Sequence, residues 1–502
     1  MNGELSYTAN DSLFLARAAT KLWNGFVGKL RPRYRDGIIH EMRNTGFLQF
    51  FLVIFCANTV LAAEKPNIIF IMADDLGYAD VGCYGQKLIQ TPNIDKLAKE
   101  GTRFTQFYAG NTVCAPSRCA LMTGYHTGHA RIRVNGNAPL KSGDVTVGKI
   151  LQDAGYVTGL VGKWALGNQG TSGEPMKQGF DYSFGYLDQS HAHDHWTDHL
   201  FRNGKRIAKA TNVYSHDLCA AESLDFIRRE KGKPFFLYAA FTLPHGFLDP
   251  PNDEPYGKED WPSINKKLAA MITRLDKTVG EMMALVDELK LSEKTLVFFS
   301  SDNGPDTFRG YPEYHDIGEN ELFHSNGPLR GIKSDLYEGG IRVPMIVRWP
   351  GKVPAGVTSD QIWAFWDFLP TAAEIAGTPP PKGIDGVSVL PALLGKSKIE
   401  HSPLYWEYYD VVFNKHGPML RGFDQAAQLG DWKAVRHAPG KALELYNLKN
   451  DLGEEKDVAA SNPELVRKME ESLRKARSPY LDRPDLEAKA TATDNAKAEQ
   501  NP

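Results

Sequence analysis

Lys65-Pro66-Asn67-Ile68-Ile69-Phe70-Ile71-Met72-Ala73-Asp74-Asp75 is the stretch on which the fold turns. The run from Ile68 to Met72 has no polar face, so it reads as a strand buried on both sides, the habit of a parallel sheet. It closes on two adjacent acids. Three later runs repeat the form. Tyr156 to Val161 ends in Gly162-Lys163, Pro234 to Phe241 in Leu243-Pro244-His245, and Leu296 to Phe299 in Ser300-Ser301-Asp302-Asn303-Gly304. Apolar positions at helical spacing fill the gaps, over Ile94 to Glu100, Val147 to Asp153, Asp217 to Glu230, Asn265 to Leu289 and Trp366 to Ala376. This alternation predicts an α/β fold with a large, mostly parallel central sheet flanked by helices. Ligands of such sheets bind beyond the carboxyl ends of the strands, and four strands here each bring a chemically useful group to that end.

The sheet pattern fades after Gly377, where Pro379-Pro380-Pro381 marks a loop. Short aromatic strand-like runs occupy Leu404 to Leu448, and an amphipathic helix is expected from Pro463 to Arg477. The expected organisation is an N-terminal extension and signal peptide over 1–63, a catalytic domain over 64–395, a small α+β subdomain over 396–483, and a tail over 484–502. The tail is too poor in apolar residues to order.

The 502 residues hold 58 Lys and Arg against 61 Asp and Glu, a formal net charge of −3. That balance supports neither a nucleic-acid partner nor a polybasic membrane contact. Cys56, Cys83, Cys114, Cys119 and Cys219 make no dense disulfide framework and no CxxC metal knuckle. Read from Met42, Arg43 supplies a basic start, Gly46 to Ala63 an apolar run, and small residues a cleavage site before Glu64. This reads as a signal peptide; a membrane anchor is the rival, but the apolar core is short for a span, so the expected mature chain is periplasmic or secreted with no stable membrane span. The residues before Met42 are either a start codon read too far upstream or a real extension.

Asp74-Asp75 puts two carboxylates at one strand end, where they repel unless a cation or protons compensate. Asp302-Asn303 offers the same chemistry at a second strand end. An all-oxygen set suits a hard cation such as Ca²⁺ or Mg²⁺ rather than zinc. Either pair alone reads equally well as a helix cap. Cys114-Ala115-Pro116-Ser117-Arg118 reads as a helix entry with Cys114 at its start and Arg118 about one turn on, a place that favours negative charge at position 114. On its own the cysteine also reads as a buried structural residue, or as half of a disulfide with Cys119.

Cys114-x-Pro116-Ser117-Arg118, followed by Leu121-Met122-Thr123-Gly124, resembles the signature of the type I sulfatases of the alkaline phosphatase superfamily. The resemblance extends to PNIIFIMADDLGY, GYVTGLVGKWALG, Leu243-Pro244-His245, SSDNG, GPLRGIKSDLYEGGIRVPMIVRWPG from Gly327, and LYNLKNDLGEE near the end. It implies that Cys114 is oxidised to formylglycine (3-oxoalanine) by a formylglycine-generating or anaerobic sulfatase-maturing enzyme. It implies one Ca²⁺ held by Asp74, Asp75, Asp302, Asn303 and the modified Cys114. Lys163 and Lys333 would hold sulfate oxygens, His245 would protonate the departing alcohol, and Arg118 would orient the formylglycine. Apart from the motifs, lone residues such as Lys163, Lys333 and His245 would read as surface or capping groups. One position departs from the family: many members read KWHLG, and here Ala165 stands in the place of that histidine.

The implied activity is removal of sulfate from a sulfated carbohydrate or a small aryl sulfate. The alternatives are a formylglycine phosphonate or phosphate ester hydrolase of the same superfamily, and a non-catalytic sulfated-glycan binder. The cluster His191-Ala192-His193-Asp194-His195-Trp196, with His199, reads as a second, zinc-type site, as a solvated loop, or as a pocket-rim loop touching a sugar through His195 and Trp196. The pocket-rim loop is the expected one of the three. The loops His191 to His199 and Pro305 to Asn326 would decide substrate choice.

Overall fold

The strand β1 (Asn67–Ala73) is buried at every residue. Its alternate side chains part onto two faces, Ile69 and Ile71 on one, Ile68, Phe70 and Met72 on the other. The computed structural model describes residues 65–136, 138–306, 322–414 and 417–488. The signal peptide, residues 307–321 of the Pro305–Asn326 loop, and residues 489–502 of the tail lie outside the described residues.

In chain order the further strands are β2 (Thr102–Phe104), β3 (Phe107–Tyr108), β4 (Val157–Lys163), β5 (Tyr182–Tyr186), β6 (His199–Arg202), β7 (Lys205–Ala208) and β8 (Phe235–Ala240). They continue as β9 (Thr295–Ser301), β10 (Met345–Arg348), β11 (Val357–Ser359), β12 (Trp363–Ala364), β13 (Leu404–Asn414), β14 (Gly417–Leu429), β15 (Trp432–Arg436) and β16 (Glu444–Asn447). Ten of them form one sheet in the order β11-β2-β10-β9-β1-β8-β4-β5-β6-β7. The centre, β9-β1-β8-β4-β5, is parallel throughout; antiparallel pairing enters only at β10 on one side and at β6 and β7 on the other. This is the large, mostly parallel sheet that the sequence predicts.

Helices Pro92–Lys99, Ser215–Glu230 and Ser263–Glu288 cover the face that carries Ile69 and Ile71. Helices Cys114–Thr123, Val147–Asp153 and Phe368–Ile375 cover the other. Phe70, fully buried there, meets the rings of Tyr238, Phe298, Phe365 and Phe368. Burying one such side chain contributes about 2–3 kcal/mol, which is why the runs that form the central strands cannot be placed at the surface.

The C-terminal part is a four-stranded antiparallel sheet, β13-β14-β15-β16. Its first two strands, of 11 and 13 residues, are longer than the short runs expected. Helix Pro463–Lys475 closes one face through Met469 and Leu473. The other face joins Trp406, Ala426 and Val435 to Tyr108, Ala120 and Trp366 of the larger layer. Packed chain continues past residue 484, where a free tail was expected. Leu486 is buried among Val134, Tyr409, Phe423 and Tyr480, and Glu487 pairs with Arg477. Those partners lie far away in sequence, so composition alone misplaces the boundary. Cys83, Cys114, Cys119 and Cys219 are all free, so the disulfide between Cys114 and Cys119 does not form. No described helix is long and apolar enough to cross a membrane.

Candidate active site

Because β9, β1, β8 and β4 are parallel neighbours, their carboxyl ends meet at one edge. Asp74 and Asp75 follow β1, Lys163 ends β4, His245 lies beyond β8, and Asp302 and Asn303 follow β9. Backbone bonds tie these ends together: Asp74 N–H donates to the Leu243 carbonyl at 3.0 Å, and Asp302 N–H to that of Ala73 at 3.2 Å. Two glycines permit the closeness. A Cβ on Gly162, at φ +107, would lie 2.0 Å from the Ala240 carbonyl oxygen. A Cβ on Gly304 would lie 1.9 Å from that of Gly339, in the segment that follows Lys333.

Helix Cys114–Thr123 starts at Cys114 with no side-chain cap. Ser117 fixes its entry, its Oγ donating to the Asp302 carbonyl at 2.5 Å and accepting from Gly110 N–H at 3.0 Å. Cys114 Sγ then sits 3.5 Å from Asp74 Oδ1. Lys163 Nζ donates to Asp74 Oδ2 at 2.7 Å, and Lys333 Nζ to Asp75 Oδ2 at 2.6 Å and to His245 Nε2 at 3.2 Å. Asn303 Nδ2 donates to Asp75 Oδ1 at 2.7 Å. Arg118 grips Asp302 Oδ2 through Nε and Nη2 at 3.0 and 2.8 Å, and its Nη1 holds the Lys163 carbonyl at 2.8 Å. Nδ1 of His245 faces the Gly246 carbonyl at 2.5 Å, which leaves Nε2 toward the lysine.

The charges are nearly balanced, but unevenly. Burial raises the Asp74 carboxyl, yet Lys163, His245 and Arg118 together hold it well below the usual range. Asp302 is pushed up to about 7 by burial and by Asp74, in spite of Arg118 and Lys163. Burial likewise drives the Cys114 thiol far up, against the pull of Lys163, so the unmodified side chain is a protonated thiol and a poor nucleophile at neutral pH. Burial lowers His245, with Asp75 opposing. Burial opposes the charge on Lys333, but Asp75 outweighs it and keeps the ammonium well above its ordinary value.

A cation suits this cluster. One ligand atom each from Asp74, Asp75, Cys114 and His245 lies within 4.8 Å of the others. Asn303 Oδ1 is buried with no hydrogen-bond partner. A buried carbonyl oxygen left unpaired beside three carboxylates is a ligand in want of a metal, and its oxygen chemistry matches a hard ion.

Residues 66–378 match the family model described as Sulfatase, and residues 332–479 match that for the C-terminal part of N-sulphoglucosamine sulphohydrolase. The chain belongs to the sulfatase family. N-acetylgalactosamine-6-sulfatase of Canis lupus familiaris is 32% identical over 416 residues, covering 74% of this chain and 72% of that protein. Arylsulfatase A of Homo sapiens is 31% identical over 492 residues, covering 84% and 89%. The crystal structure of Ps i-CgsB in complex with k-i-k-neocarrahexaose is 31% identical, with a TM-score of 0.70, covering 82% of this chain and 92% of that one. The phosphonate monoester hydrolase of Agrobacterium radiobacter, at 20% identity and a TM-score of 0.61 over 82% and 95%, shares the fold alone. This sulfatase is therefore an enzyme that hydrolyses sulfate esters.

All nine residues singled out from the sequence, Asp74, Asp75, Cys114, Arg118, Lys163, His245, Asp302, Asn303 and Lys333, converge on this edge of the sulfatase sheet. Arg118 holds Asp302 and the Lys163 carbonyl, two contacts that its motif does not announce. The histidine cluster differs from expectation. His195 is no rim group: it is 2% exposed and its Nε2 lies 3.0 Å from the His245 carbonyl. Trp196 Nε1 donates to the Asp249 carbonyl. Among the described residues, these histidines make no grouping fit for an ion. His193, which sequence reasoning left undistinguished, instead stacks its ring on His245 with centroids 4.1 Å apart.

The segment that carries Lys333 is anchored from the C-terminal sheet. Lys433 Nζ, fully buried, pairs with Glu338 at 2.9 Å and Glu454 at 3.1 Å, and Glu338 also takes Arg342 and the Tyr108 hydroxyl, each at 3.0 Å. Glu454 accepts from the Glu338 N–H at 2.6 Å.

Proposed function

We propose that this sulfatase removes sulfate from a sulfated carbohydrate, using formylglycine made from Cys114 and one Ca²⁺ held by Asp74, Asp75, Asp302, Asn303 and residue 114. The observation that carries the reading is the position of Cys114: at a helix start, 3.5 Å from Asp74, with Lys163 and Lys333 bracketing the acids. Hydrated formylglycine at position 114 would supply the attacking hydroxyl, and the cation would lower the cost of its ionisation.

The chain's own residues do the rest. Lys163 and Lys333 give up their carboxylate contacts to hold the sulfate oxygens, placing two positive charges where negative charge gathers. Arg118 keeps Asp302 in place. His245 Nε2, which faces Lys333 beside the acids, is the group placed to pass a proton to the departing oxygen. The carbohydrate assignment draws on the relatives named N-acetylgalactosamine-6-sulfatase and on the neighbour solved in complex with k-i-k-neocarrahexaose. Export to the periplasm or beyond, and activation by a formylglycine-generating or anaerobic sulfatase-maturing enzyme, belong to the same proposal.

The test is the mass of the peptide containing residue 114, from protein produced together with a maturing enzyme. A formylglycine mass is expected, with turnover abolished in Cys114→Ala although the fold persists. An unmodified cysteine alongside a fully modified control sulfatase, or undiminished sulfate release by Cys114→Ala, refutes the reading.

A further inference from the structure

Asp188 Oδ1 accepts from the N–H groups of Ser190 at 2.8 Å and His191 at 3.0 Å, which starts a single helical turn, His191–His193. The chain after it is held twice by the large layer. Tyr186 of β5 donates its hydroxyl to the Asp194 carbonyl at 2.8 Å. Ser215, at the head of helix Ser215–Glu230, donates its N–H to the His195 carbonyl at 3.0 Å. So anchored, the segment lies against the turn that follows β8, in which the His245 N–H donates to the Thr242 carbonyl at 3.0 Å.

His195 spans that turn. Its Nε2 lies 3.0 Å from the His245 carbonyl and its Nδ1 3.4 Å from the Thr242 hydroxyl. A carbonyl only accepts, so Nε2 carries the proton and Nδ1 takes that of the hydroxyl. Burial holds the pKa of the ring down to about 4, against the hydrogen bond to that carbonyl, so the ring is neutral in this tautomer. What it holds bears on where its neighbour points. The His245 carbonyl belongs to the peptide that leads into Gly246, and His245 Nδ1 faces the Gly246 carbonyl at 2.5 Å. Fixing the first peptide plane steadies the next carbonyl, and with it the ring whose Nε2 lies 3.2 Å from Lys333 Nζ and 3.3 Å from Asp75 Oδ2. His193 backs the face of that ring, with centroids 4.1 Å apart and 23° between planes. Backbone, ring edge and ring face are thus set largely from one short segment.

We propose that His195 is a positioning residue: by holding the His245 carbonyl it keeps His245 Nε2 aimed at the departing oxygen, with His193 as the surface against which that ring lies. The inference rests on the reading of His245 as proton donor and adds what orients it. A misdirected donor harms a basic leaving group more than an acidic one, a signature that a general loss of packing lacks.

The experiment compares two esters on the mature enzyme, 4-nitrophenyl sulfate and phenyl sulfate, the second releasing a phenol with a pKa of about 10. His195→Phe keeps a ring and removes the donor. It is expected to lower kcat on phenyl sulfate about tenfold or more, and on 4-nitrophenyl sulfate less than about threefold, with KM little changed on either. His195→Gln, whose amide nitrogen reaches the place of Nε2, is expected to recover most of the loss; His195→Asn, which reaches only the place of Nδ1, is not. In a His245→Ala background His195→Phe is expected to cost nothing further. No loss on phenyl sulfate, equal losses on both esters, recovery no better with Gln than with Asn, or losses that multiply in the double variant would each overturn the inference. Should His195→Phe fail to fold, Thr242→Val, which removes only the hydroxyl at Nδ1, gives the same comparison at about threefold on phenyl sulfate, and equal effects on both esters count against it in the same way. A His245→Ala enzyme with equal losses on both esters removes the proton donor itself, which is a failure of the underlying reading and not of the hold alone.

Discussion

Replacing Gly162 by Ala tests whether the close approach of β4 to β8 sets the position of Lys163. Gly162 pairs with Ala240, and the added methyl would fall 2.0 Å from the Ala240 carbonyl oxygen, whereas ordinary contact begins at 3.4 Å. The strand end must yield by roughly 1.4 Å, the difference between those two distances. Two costs add. Holding alanine at positive φ costs about 1–2 kcal/mol, and overpacking against backbone costs about 1–3 kcal/mol. Gly155 separates them, because it also has positive φ (+83) but nothing within 4 Å of its Cβ position. Gly155→Ala should lose only the first amount. Gly162→Ala should lose about 2–5 kcal/mol and, since Lys163 moves with the strand end, about a hundredfold in kcat. Urea unfolding followed by tryptophan fluorescence and steady-state rates on 4-nitrophenyl sulfate give both quantities. A Gly162→Ala enzyme as stable as Gly155→Ala and as fast as wild type would show that the approach of the strands has no hold on the lysine.

Asp302→Ala should lower the calcium bound per chain, read by elemental mass spectrometry after gel filtration; an unchanged ratio would remove Asp302 from the ligand set. His245→Ala should harm substrates with poor leaving groups, such as sugar sulfates, more than activated aryl sulfates, and a flat dependence on leaving-group pKa would exclude it as the proton donor. His401 Nε2 lies 2.9 Å from both oxygens of Asp367; burial lowers its pKa, and the carboxylate more than reverses this, leaving it raised. Its contribution to stability is therefore full below about pH 6.5 and lost as pH rises through the raised folded value. The stability difference between wild type and His401→Gln should shrink on going from pH 5.5 to pH 9, and a difference that grows would reverse the assignment.

The central strands were legible because burial on both faces leaves a mark that no other element makes: Ile68 to Met72 and Leu296 to Phe299 have no polar side. Their polar ends were legible for the same reason, since an abrupt change from apolar to Asp, Asn, Lys or His fixes where each strand stops. The short strands were not. β6 and β7 are half exposed and read His-Leu-Phe-Arg and Lys-Arg-Ile-Ala, too brief for any period to show. Lys433 defeats periodicity in another way. In Trp-Lys-Ala-Val-Arg it occupies the position of a solvent-facing lysine, yet both faces of β15 are covered and its charge is met by Glu338 and Glu454. His193 lay inside a cluster that the sequence made conspicuous, but its direction depends on a turn anchored at Asp188, and nothing in the spacing of the histidines encodes that.

The buried Lys433–Glu338–Glu454 network has a bearing on how the enzyme comes into being. Lys333 reaches its carboxylate from a segment whose next turn is fastened by residues made about a hundred positions later. Every strand of the large sheet, through β11 at Ser359, precedes position 433, so in chain order the segment of Lys333 is still without its anchor when that sheet has been made. A chain stopped at the foot of the C-terminal sheet would lack both Lys433 and Glu454, leaving Glu338 with Arg342 and the Tyr108 hydroxyl alone. The setting of Lys333 is thus finished from the small sheet, the last sheet in chain order.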